Sequence, residues 1–225
     1  DPDHPDLQSL SDGDTAVAVI SYSVADETGA SVPQTATITI TGTNDTPTVA
    51  AAITAAADEG DAVFSVNLLQ GAADVDNGAV LSVTGVTGLP TWATLNGNGL
   101  DVDPDHPDLQ SLSDGDTAVA TITYSVADET GASVPQSATL TITGTNDAPV
   151  VSAGVAVTTN EDEAAASADL LANASDVDTD AVLSVQSVIQ TAGRAVPFTV
   201  TGATLEIDPS GFQDLALGES ETVTF

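Results

Sequence analysis

The chain has 225 residues and a formal net charge of −33, with 34 Asp and Glu against one basic side chain, Arg194, and two histidines. Nucleic acid and anionic membrane surfaces are excluded as partners, because both are held by cationic side chains that displace counterions. There is no cysteine for a disulfide staple, and no apolar run reaches the roughly 18 residues of a membrane span, so membrane insertion is not expected. The chain also lacks lysine, which rules out a Lys-Asn cross-link. Any staple must be non-covalent, and in so acidic a chain a metal cation is the obvious candidate.

Sliding the sequence against itself by 102 residues superposes Asp1 to Asp45 on Asp103 to Asp147 with four differences, Val19/Thr121, Ser21/Thr123, Thr35/Ser137 and Ile38/Leu140. Such self-similarity marks an array of modules. The offset continues more weakly, matching Glu59 with Glu161, Leu68-Leu69 with Leu170-Leu171 and Asp74-Val75-Asp76 with Asp176-Val177-Asp178. Three extra residues then bring Asp208-Pro209 onto Asp103-Pro104. Residues 1–44 read as the C-terminal half of one module, 45–146 as a complete module and 147–225 as the N-terminal part of a third. Both ends fall in mid-repeat, and the chain reads as a piece of a longer polypeptide. The seams are Thr41 to Pro47 and Thr143 to Pro149.

In chain order, the first segment, Thr15 to Ala25, and its copy Thr117 to Ala127 alternate every second residue, the signature of a half-buried strand. In the copy Ala118, Ala120, Ile122, Tyr124 and Val126 share the inward phase. The repeat differences support that phase: Val19/Thr121 and Ser21/Thr123 lie on the outward face, and the inward Ile38/Leu140 swap keeps volume. A polar turn, Asp128-Glu129-Thr130-Gly131, leads to a returning strand ending at Thr143, with Ala138, Leu140 and Ile142 inward. Val49 to Ala57 has high helix propensity. Its counterpart Val151 to Thr159 carries Gly154 and β-branched residues, so strand is expected in both. Phe64, Val66 and Leu68 mark a second strand, and Leu81 and Val83 a third. Trp92 with Leu95 and Leu100 with Val102 flank an Asn96-Gly97-Asn98-Gly99 turn. Leu112-x-x-Gly115 leads to Tyr124, as in the corner of immunoglobulin-like sandwiches where a tyrosine hydroxyl ties back to nearby backbone. In the third module Val223 and Phe225 fall inward. Seven short strands per module, with turn signals between them, predict an all-β chain of tandem Greek-key β-sandwiches joined end to end.

On that topology the acids sort to the two ends of each module. Around Asn44-Asp45 should gather Asp12 and Asp14 from the first module with Asp74, Asp76, Asn77 and Asp128 from the second. Around Asn146-Asp147 should gather Glu59, Asp114 and Asp116 with Asp176 and Asp178; Asp180 lies in the same loop as a further candidate ligand, and Glu161 is the third module's counterpart of Glu59. Clustered carboxylates repel unless a cation sits among them. Several hard oxygen donors on loops suit Ca²⁺, which extracellular modules hold at about 10⁻⁴ to 10⁻³ M.

Asn-Asp-Ala-Pro in the linker, a glutamate near the end of the first strand, Asp-x-Asp after the second and Ala127-Asp128-Glu129-Thr130-Gly131 between the last two resemble the interdomain calcium motifs of cadherins. Gly-Thr-Asn-Asp-Ala-Pro with Leu-x-x-Gly-Asp and Tyr-x-Val-x-Asp is similar to the VCBS and cadherin-like tandem repeats of giant bacterial RTX adhesins. The resemblance covers the whole chain and implies an immunoglobulin/cadherin-like fold and secreted modules on the bacterial cell surface. Their linkers bind Ca²⁺ and stiffen, the partners are neighbouring repeats of the same polypeptide, and the adhesion ligand is bound elsewhere in the parent protein. The cadherin Asp-Arg-Glu segment is missing, with Ser113-Asp114-Gly115-Asp116 at a comparable place.

The competing reading of the acids is a solvated acidic surface. Asp101-Val-Asp103-Pro-Asp105-His-Pro-Asp108 starts like an EF-hand loop but has Leu112 where the bidentate glutamate belongs, so an acidic turn competes with a second ion. His4 and His106, one per module, fall short of a zinc ligand set. Recurrent paired aspartates with few aromatics argue against a glycosidase, and no enzymatic activity is expected. A homophilic or carbohydrate-binding module and an accessory module of an extracellular enzyme are the alternatives.

Overall fold

The fold was analysed in a computed structural model that describes His4 and residues 7–225; apart from His4, the first Asp-Pro-Asp-His-Pro-Asp segment lies outside them. The alternating segments form the hairpins expected of them. β1 (Thr15–Ala25) and β2 (Ser31–Thr41) pair antiparallel in a sheet of their own. After β3 (Thr48–Val49), β4 (Ile53–Asp58), β5 (Phe64–Asn67), β6 (Ala72–Ala73), β7 (Ser82–Thr87), β8 (Ala93–Asn96) and β9 (Gly99–Val102), the second copy supplies β10 (Thr117–Ala127) and β11 (Ser133–Thr143) in the same register as the first.

Residues 45–143 make an immunoglobulin/cadherin-like sandwich. One sheet has the order β4-β11-β10-β7, the other β5-β9-β8, with the short pair β3-β6 beside them. Ile122, Tyr124 and Val126 from β10 and Ala138, Leu140 and Ile142 from β11 are buried, as are Val66, Leu100 and Val102 of the second sheet and Leu68 just after β5. Trp92 is buried as well. The Ala-rich segment is extended, as its repeat counterpart required, but it is broken: Thr48–Val49 pairs with Ala72–Ala73, and Ile53–Asp58 crosses to run parallel to β11. A chain that switches sheets must leave one ladder before joining the other.

Tyr124 corrects the expected tyrosine corner. Its hydroxyl does bond to backbone, but it donates to Leu68 O (2.8 Å) at the end of β5. Tyr124 lies seven residues into β10, about 23 Å along the strand at ~3.3 Å per residue. That is too far from the preceding loop, so the hydroxyl spans the core instead. Burial pushes the phenol up.

The described chain divides into two compact units, one holding the residues up to Leu109 with Thr117–Thr143, the other Gln110–Asp116 with Gly144–Phe225. In the second, β12 (Val150–Val151) pairs with β14 (Ala174–Ser175), and β13 (Ala166–Asp169), β16 (Thr204–Ile207) and β15 (Phe198–Thr201) form a three-stranded sheet. A 3-10 turn at Pro209–Phe212 follows, its first N–H group capped by Asp208. Phe198 meets Phe225 edge to face at 5.0 Å, in keeping with the inward phase of Phe225. The expected strand from Val151 to Thr159 stops at Val151. In the first unit the matching segment β4 pairs with β11 alone, and no counterpart of β11 exists among the described residues of the second unit. Arg194 is a surface ion-pair partner: it bonds Asp214 through both Nη1 (2.6 Å) and Nη2 (3.2 Å), reaches Glu221 (3.0 Å) and lies over the Phe212 ring.

Candidate metal centre

The charged side chains that the fold buries are the ones to explain. Among the described residues the buried polar or charged side chains are Glu59, Asp76 and Asp128, and all three belong to the acids sorted to module ends. Asp128 opens the turn between β10 and β11, whereas Glu59 follows β4 and donates its N–H to Thr143 O (2.8 Å) at the far end of the same sheet. The two acids therefore mark opposite ends of one sandwich.

Around the first seam the contacts form a chain. Asp45 N–H donates to Asp76 Oδ2 (2.8 Å), and Asp76 N–H donates to Asp74 Oδ1 (2.9 Å). The Asn44 amide donates to Asp128 Oδ2 (2.9 Å) and to Asp45 O (2.6 Å). Asp128 Oδ1 collects the N–H groups of Thr130, Gly131 and Ala132 and the Thr130 hydroxyl, in a turn that Gly131 closes with φ +94°. The Asn44 amide first, then the Thr130 and Gly131 donors, outweigh burial and hold Asp128 below the usual carboxylate range. It is an anion at neutral pH.

Two oxygens in this group have no donor. Asp74 Oδ2 and Asp76 Oδ1 are buried without a hydrogen-bond partner. Leaving a buried polar oxygen unmatched costs about 1–3 kcal/mol, and more when it is charged. The second unit repeats the pattern. Asp147 N–H donates to Asp178 Oδ2 (3.0 Å), Asp178 N–H to Asp176 Oδ1 (3.1 Å), and the Asn146 amide to Asp147 O (2.6 Å). Here too Asp178 Oδ1, with Asp147 Oδ2 and Glu161 Oε2, is buried and unmatched. Asp76 and Asp178 use the same oxygen for the linker N–H and leave the same oxygen over.

The donor set fits a hard divalent cation: anionic oxygens already desolvated, beside amide and main-chain carbonyl oxygens on loops. Among the described residues no three His, Cys, Asp or Glu converge as a ready-made cage, so Asn44, Asn146 or main-chain oxygens would have to complete either set.

Other candidates are placed differently. Asp12, Asp14, Asp114 and Asp116 are exposed. Asn77 is tied by its main chain. Asp180 has φ +61° where the first copy has Gly78 at +83°, a turn position in which its side chain stays exposed. In the EF-hand-like stretch three of the carboxylates accept hydrogen bonds from the protein itself. Asp101 accepts from Ser65 (2.7 Å) and Asn96 (2.8 Å), Asp103 from Asp105 N–H (3.2 Å), and Asp108 from Thr91 (2.5 Å). That is the behaviour of an acidic turn. The Asn173 amide donates to Ala153 O (3.2 Å) and Gly154 O (3.3 Å).

Residues that the sequence reading missed lie in the loop before each hairpin. Asn77 N–H donates to Ser9 O (3.0 Å) and the Ser11 hydroxyl to Asn77 O (2.8 Å). Their counterparts are Thr179 N–H to Ser111 O (3.0 Å) and Ser113 hydroxyl to Thr179 O (2.5 Å). Both copies of each serine sit in a near-identical stretch, so repetition gave them no distinguishing signal.

The bacterial Ig domain family matches residues 44–143 and the cadherin-like domain family residues 145–210. Residues 44–143 are thus similar to bacterial Ig domains and residues 145–210 to cadherin-like domains. Solved structures similar to the chain include protocadherin gamma B7 extracellular cadherin domains 1–4 (10% identity, 86% of this chain and 57% of that one, TM-score 0.40). Protocadherin gamma B2 extracellular cadherin domains 1–5 (12%, 86% and 45%, 0.42) and the protocadherin gamma B4 extracellular domain (12%, 86% and 34%, 0.39) are also similar. The chain thus spans between about a third and somewhat over half of those structures. No curated protein sequence matches it. Among the described residues no helix is long and apolar enough to cross a membrane.

Proposed function

We propose that this chain is a run of extender repeats from a large bacterial cell-surface adhesin of the VCBS/RTX type, stiffened by Ca²⁺ at the seams, with no catalytic role. The adhesive ligand is bound elsewhere in the parent protein, and the partners of each module are its neighbours in the same polypeptide. The observation that carries this reading is the recurrence, one repeat apart, of a buried, unmatched carboxylate oxygen on Asp76 and on Asp178.

Asp74, Asp76, Asp45 and Asn44 would hold the ion at the first seam, with Asp128 beside them; Asp147, Asp176, Asp178 and Asn146 would do so at the second. A bound Ca²⁺ supplies the positive charge that these oxygens lack. The protein's own part is to hold the oxygens still: the linker N–H of Asp45 or Asp147 fixes one oxygen of the Asp-x-Asp loop and turns the other inward. Linker and loop are thereby tied in one polar network, and a cation within it resists bending of the seam.

Calcium titration by calorimetry, with thermal melting and small-angle scattering in calcium and in EDTA, tests this. Millimolar calcium is expected to raise the melting temperature, and at ten times Kd it adds about 1.4 kcal/mol. EDTA is expected to shorten the largest dimension. Asp178→Asn should remove one binding event and Asp105→Asn none. Absence of binding heat at millimolar calcium, with an unchanged melt, overturns the proposal.

A further inference from the structure

The loop that joins β9 to β10 poses a separate question. Residues Gln110–Asp116 group with Gly144–Phe225, not with the strands on either side of them. Two features account for this. Gly144, in the Thr-Gly-Thr-Asn-Asp seam, lies under the loop: a Cβ built there would meet Ser113 O at 2.5 Å and Leu112 Cβ and O at 2.6 Å. Gly144 N–H donates to Asp116 O (2.8 Å), and Gly115 N–H to Gly144 O (3.1 Å). The missing side chain lets the loop lie flat on the seam, clamped from both directions. So placed, it meets residue 179 three times: Thr179 N–H and hydroxyl donate to Ser111 O (3.0 and 2.6 Å), and the Ser113 hydroxyl donates to Thr179 O (2.5 Å).

The first unit repeats the arrangement independently. Gly42 is crowded by Leu10 O, Leu10 Cβ and Ser11 O. Gly42 N–H donates to Asp14 O (2.8 Å) and Gly13 N–H to Gly42 O (3.3 Å). Ser9 O and the Ser11 hydroxyl then engage the main chain of Asn77. The residue that the serines engage differs, Asn77 in one copy and Thr179 in the other, yet the main-chain bonds are the same. A contact built on main-chain groups tolerates that change.

We infer that Ser9-x-Ser11 and Ser111-x-Ser113, each seated on a seam glycine, form a metal-independent latch that grips the Asp-x-Asp loop of the following repeat. The latch uses no carboxylate and no ion. Its partner surface is the main chain at residue 77 or 179, immediately after the two aspartates. It therefore holds the Asp-x-Asp loop in register whether or not a cation is bound. The exposed Asp14 and Asp116 serve here through their main-chain groups and flank the latch. This inference stands apart from the calcium reading, since neither needs the other.

Amide hydrogen exchange of the full chain in EDTA, read residue by residue by NMR, tests it. The N–H groups of Asn77 and Thr179 are expected to stay protected without divalent ions. Loss of one hydrogen bond of ordinary strength corresponds to roughly five-fold faster exchange. Ser11→Ala should therefore speed exchange at Asn77 by about that factor and leave Thr179 unchanged, and Ser113→Ala should do the reverse. Gly144→Ala should bring Thr179 to the unprotected rate while the N–H groups of β10 remain protected, which separates a lost latch from a lost fold. Free-chain exchange of Asn77 and Thr179 in EDTA, with β10 still protected, overturns the inference. So does the absence of any change at Thr179 in Ser113→Ala and Gly144→Ala.

Discussion

The two hairpins, β1-β2 and β10-β11, have nearly the same sequence and identical strand register, yet different surroundings. Tyr124 is 3% exposed and Tyr22 49%; Leu140 is fully buried and its counterpart Ile38 is 47% exposed. The second hairpin is flanked by β4 and β7 and faced by the sheet of β5, β8 and β9, whereas the first forms a two-stranded sheet. Pairing and turn chemistry are local and were reproduced twice. In the second hairpin burial comes from residues 48–102 packed against it, and among the described residues the first hairpin has no such partner. The comparison therefore separates what a strand pattern specifies from what a core adds.

The largest test of that separation is to remove the same side-chain volume from each copy. Leu140→Ala should cost about 2–5 kcal/mol, the usual range for emptying a packed site. Ile38→Ala should stay within roughly 0.5 kcal/mol, as surface changes do. Urea denaturation followed by Trp92 fluorescence reads both, and equal losses would show that the first hairpin is packed in solution. A smaller effect isolates one hydroxyl. Tyr124→Phe removes the bond to Leu68 O and should cost about 1 kcal/mol, whereas Tyr22→Phe should leave the same melt unchanged.

The smallest effect concerns the turns. Asp26 and Asp128 open the same turn, and both lie below the ordinary value of 3.8. For Asp26 the largest cause is the Thr28 hydroxyl, whereas for Asp128 it is the Asn44 amide. Because both folded values are depressed, each turn contributes stability that is fully present above the unfolded pKa and is lost as pH falls through the folded one. Asn44→Ala should raise the pKa of Asp128 and leave Asp26 where it is, measurable by carbon-detected NMR titration of the side-chain carboxyls. No movement of Asp128 would mean that the Asn44 amide points elsewhere in solution.

Much of the candidate metal centre was legible because acids on loops are conspicuous in a chain whose strand faces carry Thr, Ser and aliphatics. Asp76 and Asp128, at 6% and 5% exposure, could be picked out by position alone. The part played by Ser11, Ser113 and Gly144 could not. A serine hydroxyl donating to a distant carbonyl has no periodicity, and the need for glycine at 144 exists only once Leu112 and Ser113 lie over it. The reach of Tyr124 to Leu68 was hidden for the same reason, since 56 residues separate the partners.

By itself the sequence determined the repeat, the hairpins and their inward phase, and the sorting of charge to loops, because each follows from spacing along the chain. Only the tertiary structure decided which aspartate oxygens are buried without a donor, where the chain leaves the β3 pairing for that of β4, and which loop grips residue 179. Those outcomes depend on which distant segments meet in space, and contacts between distant segments leave no period in a sequence.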